Sequence, residues 1–210
     1  MAEDFIFSVL AYQKKFFSLF MKTICPAEND LVLDMGITAD LVHKADNYFE
    51  KLYPYSDRIT AIGIENLSRL RGVYPLVKLV QADGTNLPFA DKSFDIVFSG
   101  SVLEHVGSRE RQRKFISEAL RVGKKVFITV PDSHFPIELH SGLPLMHLFS
   151  VEFYRKILKF LKEDFFAREE NLNIISKNEL FELIKGLDSD LKILRVRFLF
   201  FPLTLIVVKI

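Results

Sequence analysis

Residues 31–35, LVLDM, form a short apolar run that breaks at Gly36, and helical spacing resumes from Asp40. An apolar run that passes to a helix through a glycine is how a buried parallel strand ends. Four further runs follow at residues 59–65 (ITAIGIE), 77–82, 94–99 (FDIVFS) and 125–130 (KVFITV). Segments of helical spacing separate them, with Asp83-Gly84 and Pro131-Asp132 as turns. Strands alternating with helices imply parallel pairing and right-handed crossovers, so the C-terminal strand tips share one edge of a sheet. Those tips carry Asp34/Gly36, Glu65, Asp83/Gly84, Ser99/Gly100/Ser101 and Pro131/Asp132. Ligands of open α/β sheets bind at that edge.

The flanks add three elements. Phe5, Val9, Tyr12, Phe16, Phe17 and Phe20 recur at helical spacing until Pro26, which predicts a helix packed over the sheet or the pocket mouth. Residues 132–176 interrupt the strand–helix rhythm and read as an inserted lid or substrate-binding segment. Its helix sets Phe153, Ile157, Phe160 and Leu161 against Arg155, Lys156, Lys159 and Lys162, so a lipid-facing role stays open beside a lid. Residues 178–185 read as a surface helix. Residues 191–200 and 204–209 read as an antiparallel hairpin with Pro202 in its turn.

These parts sum to one domain over residues 1–210, with residues 1–26 as its leading helix. A chain that is 49% hydrophobic can bury a full core. The formal net charge of +1 gives no field to steer nucleic acid, and no nucleic-acid partner is expected. A single cysteine, Cys25, excludes an internal disulfide and a cysteine metal cluster. Glu3, Asp4 and the Gln13-Lys14-Lys15 interruption do not fit a signal peptide, and no apolar span reaches the ~20 residues of a membrane helix. The expected setting is cytoplasmic, with peripheral contact at the inner face of the membrane left open.

The strand tips narrow the ligand. A dinucleotide site needs G-x-G-x-x-G, so that the backbone can approach a pyrophosphate. Here Gly36 stands alone, with Thr38 and Asp40 at later positions where glycine is often found. Asp40 would repel a pyrophosphate, and Glu65 lies further on than that fingerprint allows. A ligand with a ribose and no phosphate removes both objections. S-adenosylmethionine is such a ligand, and its sulfonium suits acidic strand tips. Glu65 can accept both ribose hydroxyls, Asp83 can accept from the adenine amino group, and Asp34 with the backbone around Gly36 can hold the amino-acid end.

LVLDMGITAD, ITAIGIE, VQADGTNLPFADKSFDIVFSGSVLEHV and KVFITVP, in this order, resemble the class I S-adenosylmethionine-dependent methyltransferases, and within them the type 11 group. The resemblance implies a Rossmann-like, seven-stranded, mostly parallel sheet with an antiparallel last strand. It also implies helices on both faces and a helical lid between strands 5 and 6. By position it places Asp34 and Gly36 at the methionine end, Glu65 at the ribose, Asp83 and Gly84 at the adenine, and Ser99, Gly100 and Ser101 under the sulfonium. Thr38 stands where the family more often has glycine. Its hydroxyl either bonds the methionine carboxylate or crowds the pocket, and the second case would make the chain a non-catalytic binding or scaffold protein.

Three residues are candidates for the chemistry. A general base must reach the proton of the accepting atom, and histidine titrates near working pH. His140, supported by Glu138, is the first choice within the insertion, which also holds His134 and His147. His105, after Glu104, reads as a wall of the methyl-transfer pocket; two adjacent ligands do not complete a metal site, so none is expected. The expected acceptor is a small molecule or a lipid-linked one.

Overall fold

The computed structural model describes residues 2–41, 46–137, 151–161, 163 and 168–210. Its seven strands are β1 (Val32–Met35), β2 (Ile59–Gly63), β3 (Lys78–Gln81), β4 (Phe94–Gly100), β5 (Gly123–Pro131), β6 (Lys192–Phe198) and β7 (Phe201–Lys209). They form one sheet in the order β3-β2-β1-β4-β5-β7-β6. β1 pairs in parallel with β2 and β4, β2 pairs in parallel with β3, and β6 runs antiparallel to β7. The Rossmann-like, seven-stranded, mostly parallel sheet with an antiparallel last strand that the resemblance implies is the observed architecture. Helices α1 (Ala2–Ile24), α2 (Tyr48–Leu52), α3 (Arg109–Val122), α4 (Val151–Phe160) and α5 (Lys177–Ile184) accompany the strands, and α4 and α5 fall between β5 and β6 as expected.

The chain divides into two compact units. The first comprises residues 1–98, 118–127 and 210. Its centre is aromatic. Phe16, Phe20 and Ile24 recur every fourth residue on α1 and are buried. Phe20 meets Phe98 of β4 edge-on at 5.3 Å and Phe127 of β5 at 5.5 Å, while Phe49 of α2 stacks on Phe98 at 4.1 Å. Offset and edge-on ring pairs of this kind add stability beyond the area they bury. The leading helix thus packs on the sheet, as its spacing predicts, and Cys25 at φ 50 turns the chain away after it.

The loop between β3 and β4 is fastened to α3. Arg121 donates to the carbonyls of Leu87 (3.1 Å) and Phe89 (2.7 Å) and to Asp91, and Glu118 accepts the Leu87 N–H at 2.7 Å. This ties residues 87–91 to α3.

The second unit comprises residues 99–117 and 128–209. In α4 the buried residues are Tyr154 and Leu158, one turn apart, packed with Leu172. Phe153, Phe160 and Leu161 are exposed, so the apolar stripe is rotated from the one expected. α5 begins with a capping box in which Ser176 and Glu179 bond each other's backbone N–H. The terminal hairpin differs from expectation in its turn. Residues 199 and 200 make the turn, and Pro202 lies inside β7 opposite Arg197, next to a register shift between Val196 and Arg197. Proline has no N–H for a ladder, and a bulge is where a strand tolerates that loss.

Candidate functional site

Asp34 occupies the third position of β1 and pairs with Phe98 across the β1–β4 ladder. Paired residues of a ladder point to the same face, here the face covered by α1 and α2. Asp34 is accordingly buried, at 5% exposure, and meets Glu50 of α2, which is equally buried. Burial raises the Asp34 pKa well above the usual carboxylate range, and the Glu50 charge raises it further. Burial raises Glu50 as well, offset in part by its hydrogen bond with Asp34. Two carboxyl groups buried together both resist ionisation, and Asp34 resists it more. Burial and then the Asp34 charge also push the Tyr48 phenol up.

The loop after β1 is bonded within the protein at every step. Gly36 and Ile37 both donate their N–H to the Ile62 carbonyl, at 2.9 and 3.0 Å. Thr38 N–H donates to Asn47 Oδ1 at 3.0 Å, and Asn47 Nδ2 returns a bond to the Thr38 carbonyl. Ala39 N–H donates to Glu65 Oε2 at 3.0 Å, and Asp40 N–H to the Thr38 hydroxyl at 3.1 Å. The sequence suggested that these N–H groups face a crevice; they are instead used locally. Thr38 gives the loop a hydroxyl that accepts the Asp40 N–H and folds the loop back on itself.

Two glycines make this arrangement feasible. Gly36 has φ 136, a conformation that side chains rarely adopt. A Cβ on Gly63 would stand 2.3 Å from the Ile37 carbonyl oxygen, so the β1 loop lies directly on the end of β2.

Beside this loop Ala39, Asp40, Leu41, Glu65 and Arg69 line a hollow of about 550 Å³. That is the size range of small-molecule sites. Glu65 is exposed, and both of its contacts, with Ala39 N–H and the Thr38 hydroxyl, fall on Oε2. A carboxylate at the rim of such a hollow can accept from paired hydroxyls, which is what a ribose presents. Asp83 closes its own turn: Oδ1 accepts from the Thr85 N–H at 2.8 Å and the Thr85 hydroxyl at 2.9 Å, with Gly84 between them. The structure therefore joins Thr38 to Glu65, places Asp34 in a buried pair with Glu50, and leaves Asp83 in a turn of its own.

In the second unit, Ser99 is fully buried, and Gly100 and Ser101 are half-buried at the end of β4. Ser101 has φ 55, and its N–H donates to the Thr129 carbonyl and hydroxyl at 3.1 and 3.2 Å. His105 is half-buried, with Nδ1 at 2.6 Å from the Asn171 carbonyl. A carbonyl only accepts, so Nδ1 carries the proton between them. His140 and Glu138 lie outside the described residues.

One arrangement escaped the sequence reading. Asp132 at the end of β5 has a fully buried side chain that accepts from Arg195 Nε at 2.7 Å, from His134 N–H at 3.0 Å and from His134 Nδ1 at 3.1 Å. Arg195 is 63 residues away on β6, so only its place in the fold reveals the link. Among the described residues, no group of three or more His, Cys, Asp or Glu gathers as a metal would require.

Residues 45–126 match a family model described as a methyltransferase domain. The chain is 32% identical over 98 residues to the glycine/sarcosine/dimethylglycine N-methyltransferase of Actinopolyspora halophila, covering 44% of this chain and 17% of that protein. It thus spans about a sixth of the length of the curated relative it matches. Two solved structures share the fold. A SAM-dependent methyltransferase from Aquifex aeolicus aligns with TM-score 0.57 and 14% identity over 92% of this chain and 89% of that one. The magnesium protoporphyrin IX methyltransferase of Synechocystis PCC 6803, solved with bound SAH, aligns with TM-score 0.59 and 11% identity over 100% and 88%. The family match takes in Glu65, Asp83, Gly84, residues 99–101 and His105, and begins beyond Asp34, Gly36 and Thr38.

Proposed function

We propose that this chain, whose residues 45–126 match a methyltransferase-domain model, is an S-adenosylmethionine-dependent methyltransferase that transfers a methyl group to a small-molecule or lipid-linked acceptor. The observation that carries the reading is Glu65. It stands at the tip of β2, beside the Thr38 loop, on the rim of a hollow large enough for an adenosyl group.

The residues divide the work. Glu65 accepts the ribose hydroxyls and in doing so releases the Ala39 N–H, which then serves the ligand. Thr38 sets the loop that receives the amino-acid end, with Gly36 supplying its bend. Asp34, buried beside Glu50, backs that loop where β1 meets α2. Asp83 and Gly84 shape the adenine turn. Ser99, Gly100 and Ser101 bound the sulfonium side. The sulfonium supplies an already activated methyl group, so in-line positioning and exclusion of water do most of what remains. His140 with Glu138, or His105 through Nε2, takes the proton from the acceptor. A small amine is the first acceptor to assay, since the Actinopolyspora relative is a glycine/sarcosine/dimethylglycine N-methyltransferase.

Isothermal titration with S-adenosylmethionine and with S-adenosylhomocysteine tests the reading. Binding of both, lost in Glu65→Ala, is the expected result; no heat with either ligand removes it. Transfer of labelled methyl from the cofactor into small-molecule and lipid fractions then sorts the acceptor classes.

A second reading has its own observation. A loop whose five N–H groups from Gly36 to Asp40 are all bonded internally needs no ligand to complete it. A non-catalytic binding or scaffold protein would look like this. It predicts that S-adenosylmethionine leaves the melting temperature unchanged, whereas a ligand that binds the folded state raises it.

A further inference from the structure

The tip of the β6–β7 hairpin breaks a local rule. Its two-residue turn needs a positive φ at the first position, which glycine, asparagine or aspartate supplies at least cost. The chain places Leu199 there, at φ 54. Phe198, Leu199, Phe200 and Phe201 are 55%, 77%, 90% and 48% exposed. Strained backbone and apolar surface in water are both unfavourable, and the hairpin gains nothing from them. Its inner residues, Leu205 and Val207 among them, are buried without help from the tip. A broken local rule with no return in folding points to function.

The occupant can be argued from area, shape and charge. Four such side chains expose on the order of 500 Å², below the roughly 800 Å² that each partner of a stable protein complex contributes. A tight turn is convex, and a convex apolar tip finds no close fit on a rigid partner, whereas a bilayer yields to it. Residues 192–210 contain Lys192, Arg195, Arg197 and Lys209 and no acid, although the whole chain carries a net charge of only +1. Arg195 is bonded to Asp132 and Lys209 to Asp188, while Arg197 is exposed directly beside the tip. An apolar wedge flanked by a cation matches the boundary between acyl chains and anionic headgroups. Among the described residues no helix is long and apolar enough to cross a membrane.

We propose that residues 198–201 form a wedge that seats this chain on an anionic phospholipid surface, with the Phe200 and Leu199 side chains among the acyl chains and Arg197 at the phosphates. This stands apart from the methyltransferase reading and would deliver lipid-linked acceptors to it.

Sedimentation of the full chain with vesicles tests the wedge. The wild-type chain should pellet with phosphatidylcholine/phosphatidylglycerol vesicles and much less with phosphatidylcholine alone. Leu199→Gly with Phe200→Ser relaxes the turn while removing the wedge. It should keep or raise the melting temperature and cut the partition coefficient roughly tenfold or more. Arg197→Gln should reduce the preference for phosphatidylglycerol. The chain has no tryptophan, so Phe200→Trp gives a single-site probe whose emission should shift to the blue on vesicles. Wild-type protein that ignores both vesicles, or a double variant that binds as well as wild type, overturns the proposal. So does a dimer seen by sedimentation velocity that the double variant dissociates, since a second copy would then be the occupant.

Discussion

Asp34 of β1 and Glu50 of α2 are buried together, and burial raises the pKa of both carboxyl groups, that of Asp34 well above its usual range. The folded chain therefore holds a proton that an unfolded chain releases near its ordinary carboxyl values of 3.8 and 4.5. The stabilising contribution of that proton is fully present below this range and is lost as pH rises through the raised folded values. Asp34→Asn keeps the shape of the side chain and removes one of the two buried carboxyl groups. Its stability should fall less between pH 5 and 9 than that of the wild type, by urea denaturation at each pH. A parallel pH dependence in the two proteins would refute the raised Asp34 value.

Glu65→Gln tests the strand tip more gently than alanine. An amide still bonds the loop but has lost the charge that favours two hydroxyl donors, and charge-assisted bonds are worth about 1.5–3 kcal/mol. Cofactor affinity should weaken by roughly one to two orders of magnitude, read by titration calorimetry, with the melting temperature of the ligand-free protein little changed. Equal affinity in both proteins would move the ribose contact elsewhere.

Gly63→Ala sets a methyl group against the Ile37 carbonyl. Backbone cannot yield as a flexible side chain can. A loss of about 1–3 kcal/mol is expected in chemical denaturation, with weaker cofactor binding because the β1 loop is the part displaced.

Asp132→Ala strips three donors of their acceptor: the Arg195 guanidinium, the His134 ring and the His134 N–H. Removing one partner of a buried ion pair costs about 3–5 kcal/mol, and Arg195 is 28% exposed, so the lower end is expected. Thermal unfolding measures it. Asp132→Asn should recover part of the loss, since an amide oxygen still accepts.

The architecture was legible because strand and helix periods differ and the chain keeps them apart. Residues 94–99 read as a doubly covered strand, and the structure has β4 at Phe94–Gly100. Side-chain direction at a strand end was not legible. Asp34 looks like a crevice residue until its pairing with Phe98 puts it under α2, and Glu50 gives no sign in the sequence of being buried. Pro202 read as a turn because proline favours turns; the turn went instead to Leu199 and Phe200, which no propensity favours. In α4, Tyr154 and Phe153 are equally apolar neighbours, and only the packing partner Leu172 decides which one is buried. Asp132 and Arg195 could not be paired from sequence across 63 residues.

The internally bonded loop of residues 36–40 has a kinetic corollary. An occupant of the neighbouring hollow that takes the Ala39 N–H must exchange a bond the protein already makes, so its arrival becomes a two-step event: a loose encounter, then a swap at Ala39 and Glu65. Stopped-flow traces should show an observed rate that levels off as ligand concentration increases, with the plateau set by how often Glu65 lets go.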